Sequence, residues 1–375
     1  MILENKKDFF HIPDEVTYLN CSYMSPLLYS VEQAGIDGLQ LRKTPWELKP
    51  EDWFAPAEEL RTLFARVING DKEQVALVPS ASYGIAIAAN NILPERGQNI
   101  VVLEQQYPSN IYAWRELAKR SGAKIITVKK RPEQTWTRAV LEKIDDRTCL
   151  VAVPNCHWTD GAVLDLEQIG ARTRSAGAKL VVDGSQSVGA YPLDIAKIQP
   201  DFLVTVGYKW LLGPYGLGYL YADKKYTENG QPIEFSWLNK KESENFSGLV
   251  DYKDAYRPGA RRFDFGEFSS TIQLPMAVSA LARILEWGVE NIQETISLLT
   301  DEIEKRALAS EYETVKKSDR VGHMTGIKIP GDKSRSLKSE LDKHKIHVSF
   351  RGDNMRVAPH IYNNMGDIDK LFALL

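Results

Sequence analysis

The sequence lacks long apolar runs and a secretory signal. Its apolar stretches, such as residues 100–103 (IVVL) and 180–182 (LVV), are far shorter than the roughly 20 residues that a membrane-spanning helix needs. The N-terminal residues MILENKKDFF contain no apolar segment of the kind that directs export. We therefore expect a soluble, cytoplasmic protein that does not interact with a membrane.

The sequence also lacks an excess of one charge and a cysteine framework. Lys and Arg number 47 against 50 Asp and Glu, a formal net charge of −3, and no long basic block occurs, which argues against a nucleic-acid partner. The three cysteines, Cys21, Cys149 and Cys156, form no CxxC pair. This pattern is typical of a reducing compartment and argues against a structural metal site.

The length and the apolar pattern predict an α/β protein of two domains. At roughly 150 residues per domain, 375 residues favour two domains. Between residues 99 and 221, short apolar runs alternate with segments of helical periodicity, which predicts a mostly parallel sheet covered on both faces. The pattern changes after residue 223. We expect a large domain over residues 16–260 and a smaller α+β domain over 261–375, with residues 1–15 packing on the smaller one.

One lysine stands out in the second half of the predicted sheet. Lys209 follows a predicted strand and lies between Tyr208 and Trp210, and residues 202–222 contain no other charge. A buried lysine without a partner tends to lose its proton, and a neutral amine can form an imine with an aldehyde. Asp183 ends a neighbouring predicted strand, at the sheet edge where ligands bind in open α/β folds.

An Asp–Lys pair of this kind suits pyridoxal 5′-phosphate (PLP). Lys209 would hold the aldehyde, and Asp183 would keep the pyridine nitrogen protonated. Residues 79–84 (PSASYG) precede an apolar helical run, so their backbone N–H groups and hydroxyls could hold a phosphate. Tyr208 could add a phenolic hydrogen bond, and Tyr107 follows another strand in a position to stack on the ring.

The motifs DGSQSVG, GYKW and GPYGLGYLY resemble those of the class V aminotransferase family, which are PLP enzymes of fold type I. That family includes cysteine desulfurases, selenocysteine lyases, kynureninases, isopenicillin N epimerases and true aminotransferases. The resemblance extends from residue 18 (YLNCSYMSP) to the C-terminal segment HVSFRGDNMRVAPHIYN. It implies an α/β/α large domain with a mostly parallel sheet and a smaller α+β C-terminal domain.

The resemblance assigns roles around the cofactor. It implies that Lys209 forms the internal aldimine, with Asp183 at the pyridine nitrogen and Gln186 at the ring hydroxyl. Further cofactor contacts that the resemblance implies, or with which it agrees, involve small, hydroxyl and aromatic residues: Ala81, Ser82, Tyr107, Asn155 and Tyr208.

Two arginines and one loop complete the implied site. Arg356 matches the arginine that grips the substrate α-carboxylate, Arg351 is a second candidate contact, and Asn155 lies where the family often has a residue near the substrate. The loop 266–271 (GEFSST) falls where the family has a turn that reaches the phosphate of a neighbouring subunit; Glu267 replaces the family threonine, so the contact would come from Ser269 or Ser270 in this chain. The resemblance therefore implies a homodimer with shared active sites.

We expect an enzyme acting at the α-amino group of a small amino acid or related amine, with aminotransferase-type or epimerase-like activity. Kynureninase-like hydrolysis, β-elimination and a non-catalytic PLP-binding role remain alternatives. Cysteine desulfuration is disfavoured, because in this family it depends on a mobile thiol from the C-terminal domain and this chain has no cysteine after Cys156.

Overall fold

The computed structural model describes all 375 residues of the chain. Its strands are β1 (Thr17–Tyr18), β2 (Val75–Val78), β3 (Asn99–Leu103), β4 (Lys124–Val128), β5 (Thr148–Pro154), β6 (Lys179–Asp183), β7 (Phe202–Val206), β8 (Gly218–Ala222), β9 (Thr325–Lys328), β10 (Ile346–His347), β11 (Ser349–Arg351) and β12 (Asn354–Val357). Its helices are α1 (Tyr29–Leu41), α2 (Ala55–Val67), α3 (Ala81–Asn91), α4 (Ser109–Ser121), α5 (Trp136–Leu141), α6 (Leu166–Ser175), α7 (Ile195–Ile198), α8 (Lys224–Asn229), α9 (Gln273–Trp287), α10 (Val289–Ala309), α11 (Gly331–Lys343) and α12 (Met365–Phe372). None of these helices has the length and apolar character required to cross a membrane.

A seven-stranded sheet organises the first two thirds of the chain. Its strand order is β2-β8-β7-β6-β5-β3-β4, and only β8 runs against the others. The four pairings among β4, β3, β5, β6 and β7 are parallel, as expected for strands joined by helical crossovers. The prediction of an α/β fold with a mostly parallel sheet is confirmed.

Alternate residues of each sheet strand pack into two separate cores. Val151 and Val153 face the same side as Leu180 and Val182, which is covered by helices that include α2, α6 and α9. Their neighbours in β5 and β6 face α3 and α4 on the other side of the sheet. Burial on both faces explains why these strands are continuous apolar runs.

Two glycines allow α1 to lie against α9. A Cβ atom at Gly38 would lie 1.9 Å from the carbonyl oxygen of Thr271, just before α9 begins. At Gly35 it would lie 2.8 Å from the Met276 sulfur. Gly38 is therefore required, because it faces backbone atoms, whereas at Gly35 the flexible Met276 side chain could move aside.

The C-terminal part contains a small antiparallel sheet with the order β11-β12-β9. A two-residue turn, Gly352–Asp353, joins β11 to β12, and Gly352 adopts a φ of +58°. The N-terminal segment lies on this part of the molecule, because β1 pairs in parallel with β10 and the Lys6 N–H donates to the Ile361 carbonyl. A domain boundary near residue 260 stays a prediction.

Candidate active site

Five chain segments meet at one edge of the seven-stranded sheet. Strands β2, β3, β5, β6 and β7 run in the same direction, so their C-terminal ends lie at the same edge. The register places Asp183 between Pro154 of β5 and Val204 of β7. Asn155 directly follows β5, and Lys209 follows β7 by three residues. The topology therefore brings the predicted site residues to one edge.

Lys209 is a buried amine without an ion-pair partner. Its side chain is only 7% exposed, and its Nζ lies 5.5 Å from the ring centre of Tyr107 and 5.8 Å from that of Tyr208. Burial lowers the pKa of Lys209 to about 8; Asp183 opposes this shift, and the charges of Arg356 and Arg351 add to it. A substantial fraction of this lysine is consequently neutral near physiological pH.

Asp183 is the last residue of β6, and Gln186 lies on the segment that follows it. Asp183 is buried, and its Oδ1 accepts the Ser185 N–H at 3.0 Å. The Gln186 amide donates to the Ser22 carbonyl and accepts the Trp210 indole N–H, each at 3.0 Å. Both ends of the Gln186 amide are thus engaged within the protein, so any contact to a cofactor hydroxyl has to use the second amide hydrogen or oxygen lone pair.

Tyr107 connects the lysine to a residue absent from the sequence-based site. The Tyr107 ring packs edge-to-face on Trp158 with 5.4 Å between ring centres. The Trp158 indole N–H donates to the Gln105 carbonyl at 2.6 Å, which anchors the loop that carries Tyr107. Trp158 lies outside every motif, and no local pattern in the sequence points to it.

The predicted anion site lies at the start of α3. The Ser80 hydroxyl caps this helix by accepting the Tyr83 N–H at 3.2 Å, and the N–H groups of Ala81 and Ser82 open its first turn. Gly84 permits the helix to lie close to β7, since a Cβ atom there would lie 2.7 Å from a Val204 methyl carbon. The helix N-terminus is therefore held beside the strand that leads to Lys209.

Tyr208 and Ser270 are linked through Tyr215. The Tyr208 ring lies 4.6 Å from the Tyr215 ring, and burial raises the pKa of Tyr208 to about 12, so its phenol remains protonated at neutral pH. The Gln273 amide donates to the Tyr215 carbonyl at 2.9 Å, close to the start of α9. The Ser270 hydroxyl accepts the Gln273 N–H at 3.1 Å and thereby caps α9. Its predicted role toward a neighbouring subunit stays a prediction.

Arg356 is a buried guanidinium with no carboxylate partner. It is 1% exposed, its Nη1 donates to the Trp158 carbonyl at 2.7 Å, and its Nε has no acceptor. Burial and the nearby Arg351 lower the pKa of Arg356, but a guanidinium still retains its proton. Asn155 also has an unsatisfied buried atom, Oδ1, while its Nδ2 donates to the Leu164 carbonyl at 3.2 Å. Such orphaned polar groups are typical of a site shaped for a polar ligand.

A large surface cleft lies to one side of this site. It has a volume of about 1740 Å³ and extends from Trp136 past Tyr191 to Lys328. It reaches the site at Asn155, and neither Lys209 nor Arg356 lines it. We place the candidate site at the buried titratable groups Lys209 and Arg356, which lie outside this cleft.

A buried amine next to a carboxylate, a helix N-terminus for an anion and an unpaired guanidinium fit a carbonyl-bearing, phosphorylated cofactor and an acidic substrate. The family model of the class-V aminotransferases matches residues 51–369. The chain belongs to this family and is a PLP-dependent enzyme.

Curated relatives match most of the chain at modest identity. The uncharacterized aminotransferase YcbU of Bacillus subtilis is 27% identical over 334 residues, covering 87% of this chain and 84% of the relative. Isopenicillin N epimerase of Streptomyces clavuligerus is 26% identical over 333 residues, covering 84% and 82%. A probable cysteine desulfurase of Pyrococcus abyssi is 25% identical over 339 residues, covering 85% and 82%.

Solved structures share the fold at lower identity. The apo cysteine desulfurase of Thermococcus onnurineus superposes with a TM-score of 0.85 at 19% identity, covering 100% of this chain and 98% of the other. The cystine C-S lyase C-DES, in complex with cysteine persulfide, gives a TM-score of 0.87 at 19% identity, covering 96% and 97%. These similarities confirm the predicted PLP-enzyme fold type I.

Proposed function

We propose that this enzyme acts at the α-amino group of a small amino acid or related amine, as an aminotransferase or an epimerase. The observation that carries the proposal is the pairing of Lys209, a buried amine, with Arg356, a buried guanidinium that lacks a carboxylate. An α-amino acid supplies the groups that this pair lacks. Its carboxylate would neutralise Arg356 in a bidentate contact, and its amine and α-carbon would then lie toward Lys209.

The residues of this chain have distinct proposed roles in that reaction. Bound PLP would withdraw electrons from the α-carbon, with Asp183 at its pyridine nitrogen and its phosphate at the α3 N-terminus formed by Ala81 and Ser82. Tyr107 would stack on the ring and Tyr208 would donate to the phosphate. Gln186 would contact the ring hydroxyl.

Lys209 would take the proton from the α-carbon of the substrate, because burial makes its neutral form accessible near pH 8. The atom to which that proton returns separates the two reactions. Return of the proton to the opposite face of the α-carbon would invert its configuration. Delivery of the proton to the aldehyde-derived carbon of the cofactor would lead to amino-group transfer. Asn155, with its unsatisfied Oδ1, would orient the substrate next to Arg356.

The cysteines of the chain argue against persulfide chemistry. Cys21 and Cys156 are fully buried, burial raises the pKa of both thiols, and Cys21 donates to the Lys209 carbonyl at 3.9 Å. Cys149 is half-buried on β5, and burial raises its pKa to about 11. A desulfurase of this family would need a mobile thiol in the C-terminal domain. No cysteine follows Cys156, and the two-residue connection between β11 and β12 contains none. A reactive thiolate is therefore absent from this site.

The test combines cofactor spectroscopy with product analysis. We expect the purified protein to bind PLP, and borohydride reduction followed by peptide mapping to label Lys209. Lys209→Ala should lose both the label and all reaction with L-alanine, whereas Lys119→Ala, which removes an exposed lysine on α4, should retain both. Labelling at another lysine contradicts the assigned role of Lys209.

Product analysis distinguishes the candidate reactions. With L-alanine and a 2-oxo acid other than pyruvate as the amino acceptor, an aminotransferase forms pyruvate and a new amino acid. An epimerase forms D-alanine without pyruvate. Release of persulfide or sulfide from cysteine as the fastest reaction contradicts the proposal.

We also propose a homodimer in which the partner covers this sheet edge. Tyr215 packs on Tyr208 beside the site and is nevertheless 68% exposed, as expected of a side chain that a second subunit buries. Ser270 would then reach the cofactor phosphate of the partner. If light scattering shows a monomer and that monomer is fully active, this proposal is contradicted. Tyr215→Glu should weaken the dimer.

A further inference from the structure

Arg351 and Arg356 point to the same face of the small C-terminal sheet. In the antiparallel β11–β12 hairpin, Ser349 pairs with Arg356 and Arg351 pairs with Asn354. Because side chains alternate along a strand, all four residues share one face. The two arginines are diagonal neighbours, a relation that places Cβ atoms about 7–8 Å apart. The tight turn at Gly352 holds them in this relation.

Both arginines contact Trp158. Arg356 donates to its carbonyl at 2.7 Å, and the Arg351 guanidinium carbon lies 5.7 Å from the centre of its indole ring. Trp158 in turn packs on Tyr107, whose ring centre lies 5.5 Å from the Lys209 amine. A continuous set of contacts thus joins both guanidiniums to the reactive lysine.

Other buried arginines of the protein are neutralised by acidic partners. Four arginines are buried, and three of them pair with carboxylates: Arg61 with Asp264, Arg261 with Glu58 and Glu73, and Arg320 with Asp301 and Glu304. Arg356 is the exception. Besides its bond to the Trp158 carbonyl, Arg356 makes one long hydrogen bond of 3.5 Å from Nη2 to the Ser349 hydroxyl.

Arg351 has no acidic partner either. The protein acceptor of its guanidinium is the carbonyl of Phe350, at 2.7 Å from Nη1. With Lys209 protonated, the site holds three cations, and Asp183 is the carboxylate that acts on Lys209. One substrate carboxylate balances Arg356 and leaves Arg351, which lies half-buried over Trp158, without a counter-ion.

We propose that the substrate carries a second acidic group, which Arg351 binds while Arg356 holds the α-carboxylate. The preferred substrates are then acidic amino acids, with a carboxylate or a similar anion on the side chain. This inference depends on the proposed function, because it assumes an amino acid at Lys209 and Arg356. Arg351 acts as a specificity-determining residue and takes no part in proton transfer.

The test compares amino acids that differ in charge and match in size. The PLP-loaded enzyme is mixed with L-aspartate or L-asparagine, and with L-glutamate or L-glutamine, at several concentrations. The rate at which the absorbance of the bound cofactor changes then gives kcat/KM for each amino acid. We expect at least one acid to exceed its amide by about 10- to 100-fold, the range of a charge-assisted hydrogen bond. Arg351→Gln should abolish this preference, and Arg351→Lys should restore part of it. Arg335→Gln, on an exposed position of α11, is the matched control and should leave the ratio unchanged.

Two results overturn the inference and leave the proposed function intact. The first is a wild-type enzyme that reacts with the amides as readily as with the acids. The second is an Arg351→Gln variant, folded by circular dichroism, that retains the wild-type ratio. If no amino acid, neutral or acidic, alters the cofactor absorbance, then the proposed function itself fails.

Discussion

The buried amine of Lys209 should destabilise the cofactor-free protein at neutral pH. The pKa of this lysine falls from 10.5 to about 8 on folding, mainly because burial disfavours its charged form. Each pKa unit corresponds to about 1.4 kcal/mol, so the shift amounts to roughly 3 kcal/mol of lost stability. Lys209→Met removes the charge and keeps an unbranched side chain of similar length. The variant should therefore be more stable than the wild type by about that amount.

The sign of the effect fixes its pH dependence. Below pH 8 the folded and unfolded states both carry the proton, and the full penalty applies. Between pH 8 and pH 10.5 the unfolded state binds more protons than the folded state, so the stability of the wild type rises with pH in this window. The difference between the Lys209→Met variant and the wild type should then shrink to about half near the middle of the window.

Urea unfolding of the cofactor-free proteins, at one protein concentration and several pH values from 6 to 10, measures this difference. Lys119→Met, on the exposed face of α4, is the control and should show no pH-dependent difference from the wild type. A Lys209→Met variant that is less stable than the wild type at pH 7, or a difference that is constant from pH 7 to pH 10, refutes the reasoning. Either result means that Lys209 is charged and adequately solvated in the folded protein.

Three further substitutions have defined outcomes. Arg356→Gln should lower kcat/KM for amino-acid substrates by about 100-fold with cofactor binding retained, because a charge-assisted contact to the carboxylate is lost; steady-state kinetics decides, and an unchanged KM contradicts the role. Asp264→Asn leaves the buried Arg61, whose Nη1 donates to Asp264 at 2.9 Å, without its counter-ion and should cost about 3–5 kcal/mol in urea unfolding; a loss below about 1 kcal/mol argues against this coupling. Gly84→Ala should push α3 away from Val204 and weaken PLP binding about tenfold in a fluorescence titration, whereas unchanged affinity would show that the α3 N-terminus does not hold the phosphate.

The strands of the large sheet could be predicted from the sequence because each is a short run of buried apolar residues. The region predicted to alternate strands and helices, residues 99–221, contains β3 to β7 and the start of β8, and Asp183 ends β6 as predicted. Since every parallel strand of this sheet ends at the same edge, the positions of Asp183 and Lys209 followed from the same pattern. The order and direction of the strands were therefore enough to place Asp183 and Lys209 at one sheet edge, without knowledge of their side-chain contacts.

Helix α1 has a weak helical pattern in the sequence because its packing requires a glycine. Gly35 and Gly38 lower helix propensity, yet Gly38 is needed where α1 meets the Thr271 carbonyl. The weak helical pattern of α1 is thus a consequence of its contact with α9.

Trp158 and the surroundings of Arg356 could not be predicted for a different reason. The bond from Arg356 to the Trp158 carbonyl joins residues 198 positions apart, and the Gln186 amide contacts Ser22 across 164 positions. Such contacts depend on how the β11–β12 hairpin lies against the large sheet, which no local pattern encodes. A sequence motif can identify the arginine, but only the fold shows that it lacks a counter-ion.

The crossing of the N-terminal segment onto the C-terminal part has a consequence for how the protein is made. The Ser349 hydroxyl donates to the Asn20 side chain, 329 residues away, and the same hydroxyl lies beside Arg356. All seven strands of the large sheet have been synthesised once the chain reaches Ala222, but Thr17–Tyr18 must wait for Ile346–His347 before they can pair. The part of the site that contains Arg356 is consequently the last to form, and a chain released early from translation would present Lys209 without Arg356.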